Sequence, residues 1–330
     1  MEDTIKQARG SFSKLGGFFM LGTLVIFAVQ LLPAFILQIV KPEWMNNGDI
    51  ALLVTIIPMY VLGMPFLIWL LKKLPAQTPQ RHAMSAGQFG VSFLMCYAIM
   101  FCCNLLGNIV TMVIGLLKGG AVQNTILDVA TSSNMVITFV YMVICAPVFE
   151  EYIFRKLIID STMRYGQGVA ILLSGLMFGL FHGNLNQFVY AFGLGLFLAF
   201  LYVRTGSLKI TIALHMIINF LGGIVGVLIL QLIDMQGLTE ALASGDTQVL
   251  MEYYSSHLAG WAVYGVYAIL ILAAVITGVV LLIVFRKRFT LPGNERVIPR
   301  GKGFSTVILN PGMAVYCLFW LAMILLQLFQ

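Results

Sequence analysis

Long apolar runs, broken by short segments that collect nearly all the basic residues, decide what this chain can fold into. A membrane span needs about 20 mostly apolar residues to cross a hydrocarbon core about 30 Å thick. Nine such runs are legible, near residues 15–40, 50–71, 88–117, 134–157, 167–184, 186–203, 207–233, 260–285 and 313–329. The composition agrees: 60% of the 330 residues are hydrophobic and 10% are charged, whereas a soluble domain carries roughly 25% charged residues. A water-soluble fold is thereby excluded. The expected fold class is all-α, a polytopic transmembrane helix bundle of about nine spans. The fifth and sixth runs are separated only by Gly183, Asn184 and Leu185. Gly and Asn are turn formers, so a tight helical hairpin is expected there.

Lys and Arg collect on cytoplasmic loops of membrane proteins. With the N-terminus cytoplasmic, nine spans place segments 1–14, 72–87, 155–166, 204–209 and 286–312 inside, and these hold 17 of the 19 basic residues. The 234–259 loop carries Asp234, Glu240, Asp246 and Glu252 but no Lys or Arg, as an external loop should. The expectation is a multi-pass plasma-membrane protein. The net charge of +6 follows from this asymmetry, and no basic run is interleaved with aromatics as nucleic-acid binding would require. Five cysteines lie in apolar runs without metal-ligand spacing and read as free buried thiols. Lys6, Arg9 and Lys14 precede an apolar stretch too long for a signal-peptide core, so it reads as a retained first span. No repeat or low-complexity tract divides the chain. One membrane domain is expected, with N-terminal helices over 1–133, a core over 134–222, and C-terminal helices with a loop over 223–330.

Ionisable groups inside spans cost roughly 2.5–3.5 kcal/mol each at the helix centre, so each is paired, wet or functional. Three clusters qualify. Glu151 and Arg155 are i and i+4, on one helix face and able to pair. Glu150 points about 100° away and has no partner in its own helix; both glutamates could also snorkel at the interface beside Lys156. His182 follows Phe178 by four residues, and taken singly it reads as a satisfied core residue. His215 and Asn219 are again i and i+4, and such groups often serve as glue between membrane helices. Spacing links the three clusters. Glu150 lies 16 residues before Gly166 and His182 lies 16 after it, so an antiparallel hairpin places both about 24 Å from the turn. This requires the fourth helix to run on through Leu157–Tyr165. His215 lies 9 residues past Gly206, and Asn219 lies 13.

A carboxylate beside an imidazole in a low-dielectric site can hold and deprotonate a water. A second His with an Asn can donate hydrogen bonds to a developing oxyanion. Glu150, His182 and His215 would equally be candidate ligands for a divalent cation such as zinc that activates the water. The residues do not choose between these mechanisms and do not demand a cofactor. No Ser sits in a GxSxG setting, and there is no pair of intramembrane aspartates.

The set Glu150-Glu151-x-x-x-Arg155, Phe178-x-x-x-His182 and His215-x-x-x-Asn219 resembles the CPBP family. This is the CAAX-protease and bacteriocin-processing group, also called Abi proteins, which includes the Ras-converting endopeptidase. The match covers roughly 134–222. The resemblance implies an intramembrane endopeptidase opening toward the cytosol. In it, Glu150 and His182 would activate water, His215 and Asn219 would stabilise the oxyanion, and Glu151 and Arg155 would orient and neutralise the cluster. Family members are described as metalloproteases, though a metal-free glutamate mechanism has also been argued. The implied substrate is a membrane-associated, prenylated or leader-containing peptide or membrane-anchored protein, with the lipid bilayer as the other partner. Nothing fixes an oligomeric state.

Two other classes compete with a peptidase. A non-catalytic scaffold or bacteriocin-immunity protein would bind a peptide in the same cavity. An ion-coupled transporter would also place Glu and His in the membrane, but no inverted repeat is evident. Trp261 and the pair Tyr253 and Tyr254 read as interfacial anchors. Gly193, Gly195, Gly222 and Gly223 read as points of close helix approach. His82 and His257 fall in loops on opposite sides.

Overall fold

The computed structural model describes residues 2–120, 122, 134–291 and 297–329. Among these residues the chain is all-helical. The principal helices are α1 (Glu2–Val40), α2 (Gly48–Leu71), α3 (Ala86–Lys118), α4 (Met135–Tyr165), α5 (Gln167–Phe181), α6 (Leu185–Thr205), α7 (Leu208–Gln231), α8 (Leu258–Val284) and α9 (Pro311–Leu328). Each coincides with one of the nine apolar runs. Eight are long and apolar enough to cross a membrane, while α5 falls short. Its 15 residues extend about 22 Å at 1.5 Å per residue, less than the hydrocarbon thickness. The turn after α5 therefore lies within the depth of the bundle. The join between 1–133 and 134–222 lies largely outside the described residues, as do positions 292–296 of the 286–312 loop.

Contacts gather the five basic segments at one end. Gln77 N–H donates to Asp160 O (2.7 Å) and His82 N–H to Thr205 O (2.9 Å). Arg164 donates to Ser11 Oγ (3.2 Å), Arg204 to Thr290 O (3.3 Å) and Arg9 to Leu309 O (2.7 Å). At the opposite end Lys118 Nζ caps Leu328 O (2.7 Å). One residue leaves the basic-loop set: Arg155 is fully buried and belongs to the interior. The acidic 234–259 segment is also more ordered than a loop, since it forms two short helices, Met235–Ser244 and Thr247–Ser256.

The core that carries the site is aromatic. Phe19 of α1 packs on Phe154 of α4 (ring centroids 5.5 Å apart), and Phe154 packs edge-on against Phe178 of α5 (5.1 Å). From α9, Tyr316 donates its hydroxyl to Met177 O (2.8 Å), fixing α5 from the other side. Gly16 and Gly312 bring α1 and α9 into backbone contact. Gly193 meets Cys103 and Gly195 meets Phe178, as close approach requires, whereas Gly222 faces open space. Of the cysteines only Cys96 is buried, and all five are free. The expectation of five buried thiols fails because their helices turn part of each apolar run outward.

Three helices are not regular. α2 widens to a π turn at Met59–Gly63, α4 at Phe139–Cys145 and again at Glu151–Ile159, and α7 at Phe220–Val225. Two of these turns precede Pro65 and Pro147. Proline lacks the N–H for an i→i−4 bond and its ring presses on that carbonyl, which a locally wider turn accommodates. Single π turns inside α-helices frequently mark functional positions, and here they bracket Glu150 and begin directly after Asn219.

Candidate active site

The site starts at the turn between α5 and α6. Gly183 adopts φ 66°, a left-handed conformation that glycine tolerates at little cost. A Cβ there would also come within 3.0 Å of the Trp320 ring. Asn184 then caps α6: its Oδ1 accepts from Gln187 N–H (2.8 Å) and its Nδ2 donates to His182 O (3.0 Å). Backbone groups at membrane depth need partners within the protein, and this turn supplies them. It also holds His182 rigidly at the end of α5.

α4 does run on to Tyr165, which the depth argument required. Its two glutamates take hold of one imidazole. His215 Nδ1 lies 3.0 Å from Glu151 Oε1, and His215 Nε2 lies 3.7 Å from Glu150 Oε2. Glu151 is also 3.1 Å from Arg155. Glu151 and Arg155 have no solvent exposure at all, so neither snorkels at an interface. Lys156, the proposed companion at that interface, instead pairs with Asp160. Arg155 sits over the Phe178 ring, its guanidinium carbon 4.5 Å from the centroid. No N–H group of Arg155 makes a well-aligned hydrogen bond to the protein. Its burial rests on the Glu151 charge and the aromatic face, a pairing that gains strength when desolvated.

Phe178 is the centre that unites the set. Its ring meets His182 edge-on at 4.9 Å and His215 edge-on at 5.8 Å, in addition to Phe154 and Arg155. In the sequence Phe178 is marked only by its spacing of four from His182, and its contacts to other helices leave no local pattern. His182 Nδ1 lies 2.8 Å from Phe178 O. A carbonyl only accepts, so Nδ1 carries the proton, and in the neutral ring Nε2 keeps its lone pair. By the same logic Glu151, an acceptor, fixes the proton of His215 on Nδ1 and turns Nε2 toward Glu150.

Asn219 is placed one helical turn beyond His215. Its Nδ2 donates to Met142 O (2.8 Å) on the π turn of α4. One amide proton is thus committed to holding α7 against α4, and one remains for other chemistry. The six residues divide by burial. Glu151, Arg155 and His215 are buried, whereas Glu150, His182 and Asn219 are half-buried. Tyr60, Tyr141 and Tyr190 lie near enough to Glu150 to interact with its charge. Tyr60 also packs on Phe149, the residue before Glu150 (4.9 Å). None of the three was legible beforehand, because tyrosines in apolar runs carry no spacing signal.

Among the described residues no three His, Cys, Asp or Glu side chains stand together as a metal-binding group. Glu150, His182 and His215 do not form a ligand set in this arrangement. Each ring nitrogen of His215 faces a carboxylate, and His182 Nδ1 is committed to its own helix.

Residues 132–221 match the model of the Rce1-like family, described as type II CAAX prenyl endopeptidase Rce1-like. The matched segment runs from the start of α4 to the first residues of the π turn in α7 and contains all six candidate residues. Two curated proteins are similar over a wider stretch. The "Membrane-embedded CAAX protease MroQ" of Staphylococcus aureus (strain USA300) is 25% identical over 178 residues, covering 51% of this chain and 66% of that protein. The "Putative membrane peptidase YdiL" of Bacillus subtilis (strain 168) is 28% identical over 151 residues, covering 43% of this chain and 61% of that protein. The alignments thus span somewhat under two thirds of these relatives' own length. No solved structure matches the chain.

Proposed function

We propose that this protein is a membrane-embedded endopeptidase that hydrolyses a peptide bond with a water activated by Glu150 and His182. The observation that carries the reading is a half-buried carboxylate within 3.7 Å of an imidazole that a buried Glu–Arg pair holds in place.

Glu150 and the Nε2 lone pair of His182 take up the water between them, and the carboxylate accepts a proton as the oxygen attacks the scissile carbonyl. The π electrons of the carbonyl move onto its oxygen. The remaining amide proton of Asn219 is the donor offered to that oxyanion, and His215 holds the Glu150 side of the site in register. Collapse of the tetrahedral intermediate breaks the C–N bond, and the proton held by Glu150 passes to the leaving amine. A positioned general base contributes typically 10²–10⁴-fold, and a single oxyanion donor about 10²–10³-fold. No covalent intermediate and no step through a metal is required.

The substrate class in this reading is a peptide or membrane-anchored protein presented from the bilayer, with a prenylated or leader-containing peptide as the family-based expectation. The site opens toward the cytosol of a plasma-membrane protein; the basic loops support that orientation. The test is cleavage of prenylated and leader-type peptides by the full chain in liposomes, read by mass spectrometry. His182→Ala is expected to abolish cleavage while the melting temperature is kept. A well-folded His182→Ala protein that cleaves at the wild-type rate would reject the assignment. A protein whose protective or binding phenotype survives both His182→Ala and Glu150→Ala is a scaffold rather than a peptidase.

A further inference from the structure

The bundle holds a cavity apart from the polar cluster. It lies at the basic end, measures about 1090 Å³, and is bounded by the 77–88 segment, the first turns of α3, the end of α6 and the residues just after α8. This volume is at the upper limit of sites for drug-sized ligands, about 300–1,000 Å³. One wall is apolar and includes Met84, Val91, Met95, Phe197, Phe200 and Phe289. Its cationic groups are Arg204 and Arg288, and no Asp or Glu lines it. The start of α3 also faces the cavity through Ser85, Gly87 and Gln88, adding the positive end of a 33-residue helix.

The wall is built rather than incidental. Asp160, only 3% exposed, accepts from Thr78 Oγ1 (3.0 Å) and Tyr202 OH (3.0 Å) and pairs with Lys156. His82 N–H is tied to Thr205 O. Gly206 has φ 60° and its missing Cβ would meet Gln80 O at 2.6 Å. These contacts pin the 77–82 segment along its length against α4 and α6. Asp160 plays no part in the proposed hydrolysis, and its task here is to hold this wall.

We propose that this cavity binds an anionic membrane phospholipid, with the headgroup phosphate at Arg204 and Arg288 and an acyl chain against Phe197, Phe200 and Phe289. A free anion would gain nothing from the apolar wall. A zwitterionic lipid carries a second charge that the cavity does not answer, since its lining has two arginines and no carboxylate. The place fits as well. The arginines stand where α6 and α8 end and the basic segments begin, the level at which basic pockets between membrane helices meet lipid headgroups. The floor residue Met95 packs with Cys96, Leu214 and Ile218 in one buried cluster, and the last two flank His215. The lipid is therefore a structural neighbour of the candidate active site without lining it, and the inference stands whether or not the chain hydrolyses peptides.

The experiment uses the full chain purified in detergent. Short-chain phosphatidylglycerol, phosphatidylcholine and inorganic phosphate are titrated separately while the melting temperature is followed. A phosphatidylglycerol with a photoreactive acyl chain then maps the contact. Phosphatidylglycerol is expected to raise the melting temperature and to label peptides containing Met84, Phe200 or Phe289. The Arg204→Gln/Arg288→Gln double variant is expected to bind about 30-fold more weakly, from about 1 kcal/mol per basic residue and tenfold per 1.4 kcal/mol. Its melting temperature without lipid should equal that of the wild type. If the double variant folds poorly, Arg288→Gln alone, on an exposed residue, is expected to weaken binding about fivefold by the same conversion. The proposal is overturned by equal binding of phosphatidylcholine, by inorganic phosphate reproducing the full shift, by label placed outside the cavity, or by label that substrate peptide displaces and phosphatidylglycerol does not.

Discussion

Replacing Glu151 by Ala tests the buried residues most sharply. The side chain has no exposure, and its carboxylate faces both Arg155 (3.1 Å) and His215 (3.0 Å). Removing it leaves a fully buried guanidinium on the Phe178 face, with Glu150 as the remaining carboxylate near it. Breaking a buried ion pair by deleting one partner costs about 3–5 kcal/mol, a large part of a total stability of about 5–15 kcal/mol. Replacing both partners by apolar groups of similar volume is often neutral, so Glu151→Leu/Arg155→Met should recover most of the loss. The expected coupling is therefore about 3–4 kcal/mol, read from denaturant or thermal unfolding of the four proteins in one detergent. The double variant should remain inactive, because His215 Nδ1 has lost its acceptor. A single-mutant cost below about 1 kcal/mol, the scale of a solvent-exposed pair, would refute the buried arrangement and restore the interfacial one.

Phe178→Leu removes the ring shared by Arg155, His182, His215 and Phe154. A desolvated cation–π contact is worth about 2 kcal/mol and each aromatic pair about 0.5–1.5. A loss of about 2–4 kcal/mol and a lower cleavage rate are expected in unfolding and peptide assays, and an unchanged melting temperature would contradict the central role of the ring. Gly206→Ala places a Cβ 2.6 Å from Gln80 O at φ 60°. The left-handed backbone alone costs about 1–2 kcal/mol for a residue with a Cβ, so melting should fall by at least that equivalent. A silent Gly206→Ala would mean that the 77–82 segment is not pinned as described.

Much of the scaffold was legible because apolar length and basic breaks are one-dimensional signals. All nine runs became helices, and the i, i+4 pairs Glu151–Arg155 and Phe178–His182 lie together as spacing required. What was not legible depends on the third dimension. Glu150 and Glu151 differ by about 100° on a regular helix, yet both address His215 because that imidazole enters from α7 between them. The π turns arise from proline contacts and packing, which a periodic pattern does not encode. α5 looked long enough to span because His182, Gly183 and Asn184 follow its apolar run, but these residues form the turn. Asn219 was paired in sequence with His215, while its nearest bond is to a backbone carbonyl on α4. The cavity at the basic end is assembled from four separate segments, so no local pattern announces it.

The claim on which the function rests is that Glu150 activates the attacking water. The most direct measurement is the single-turnover cleavage rate of Glu150→Gln against the wild type, in the same liposomes and with melting temperatures matched. Glu150 is half-buried and its ion-pair contact is His215 at 3.7 Å, so the isosteric amide should fold normally. The expected result is a rate lower by about 10²–10⁴-fold, the contribution of a positioned general base. Cleavage within a few fold of wild type by the folded variant would contradict it.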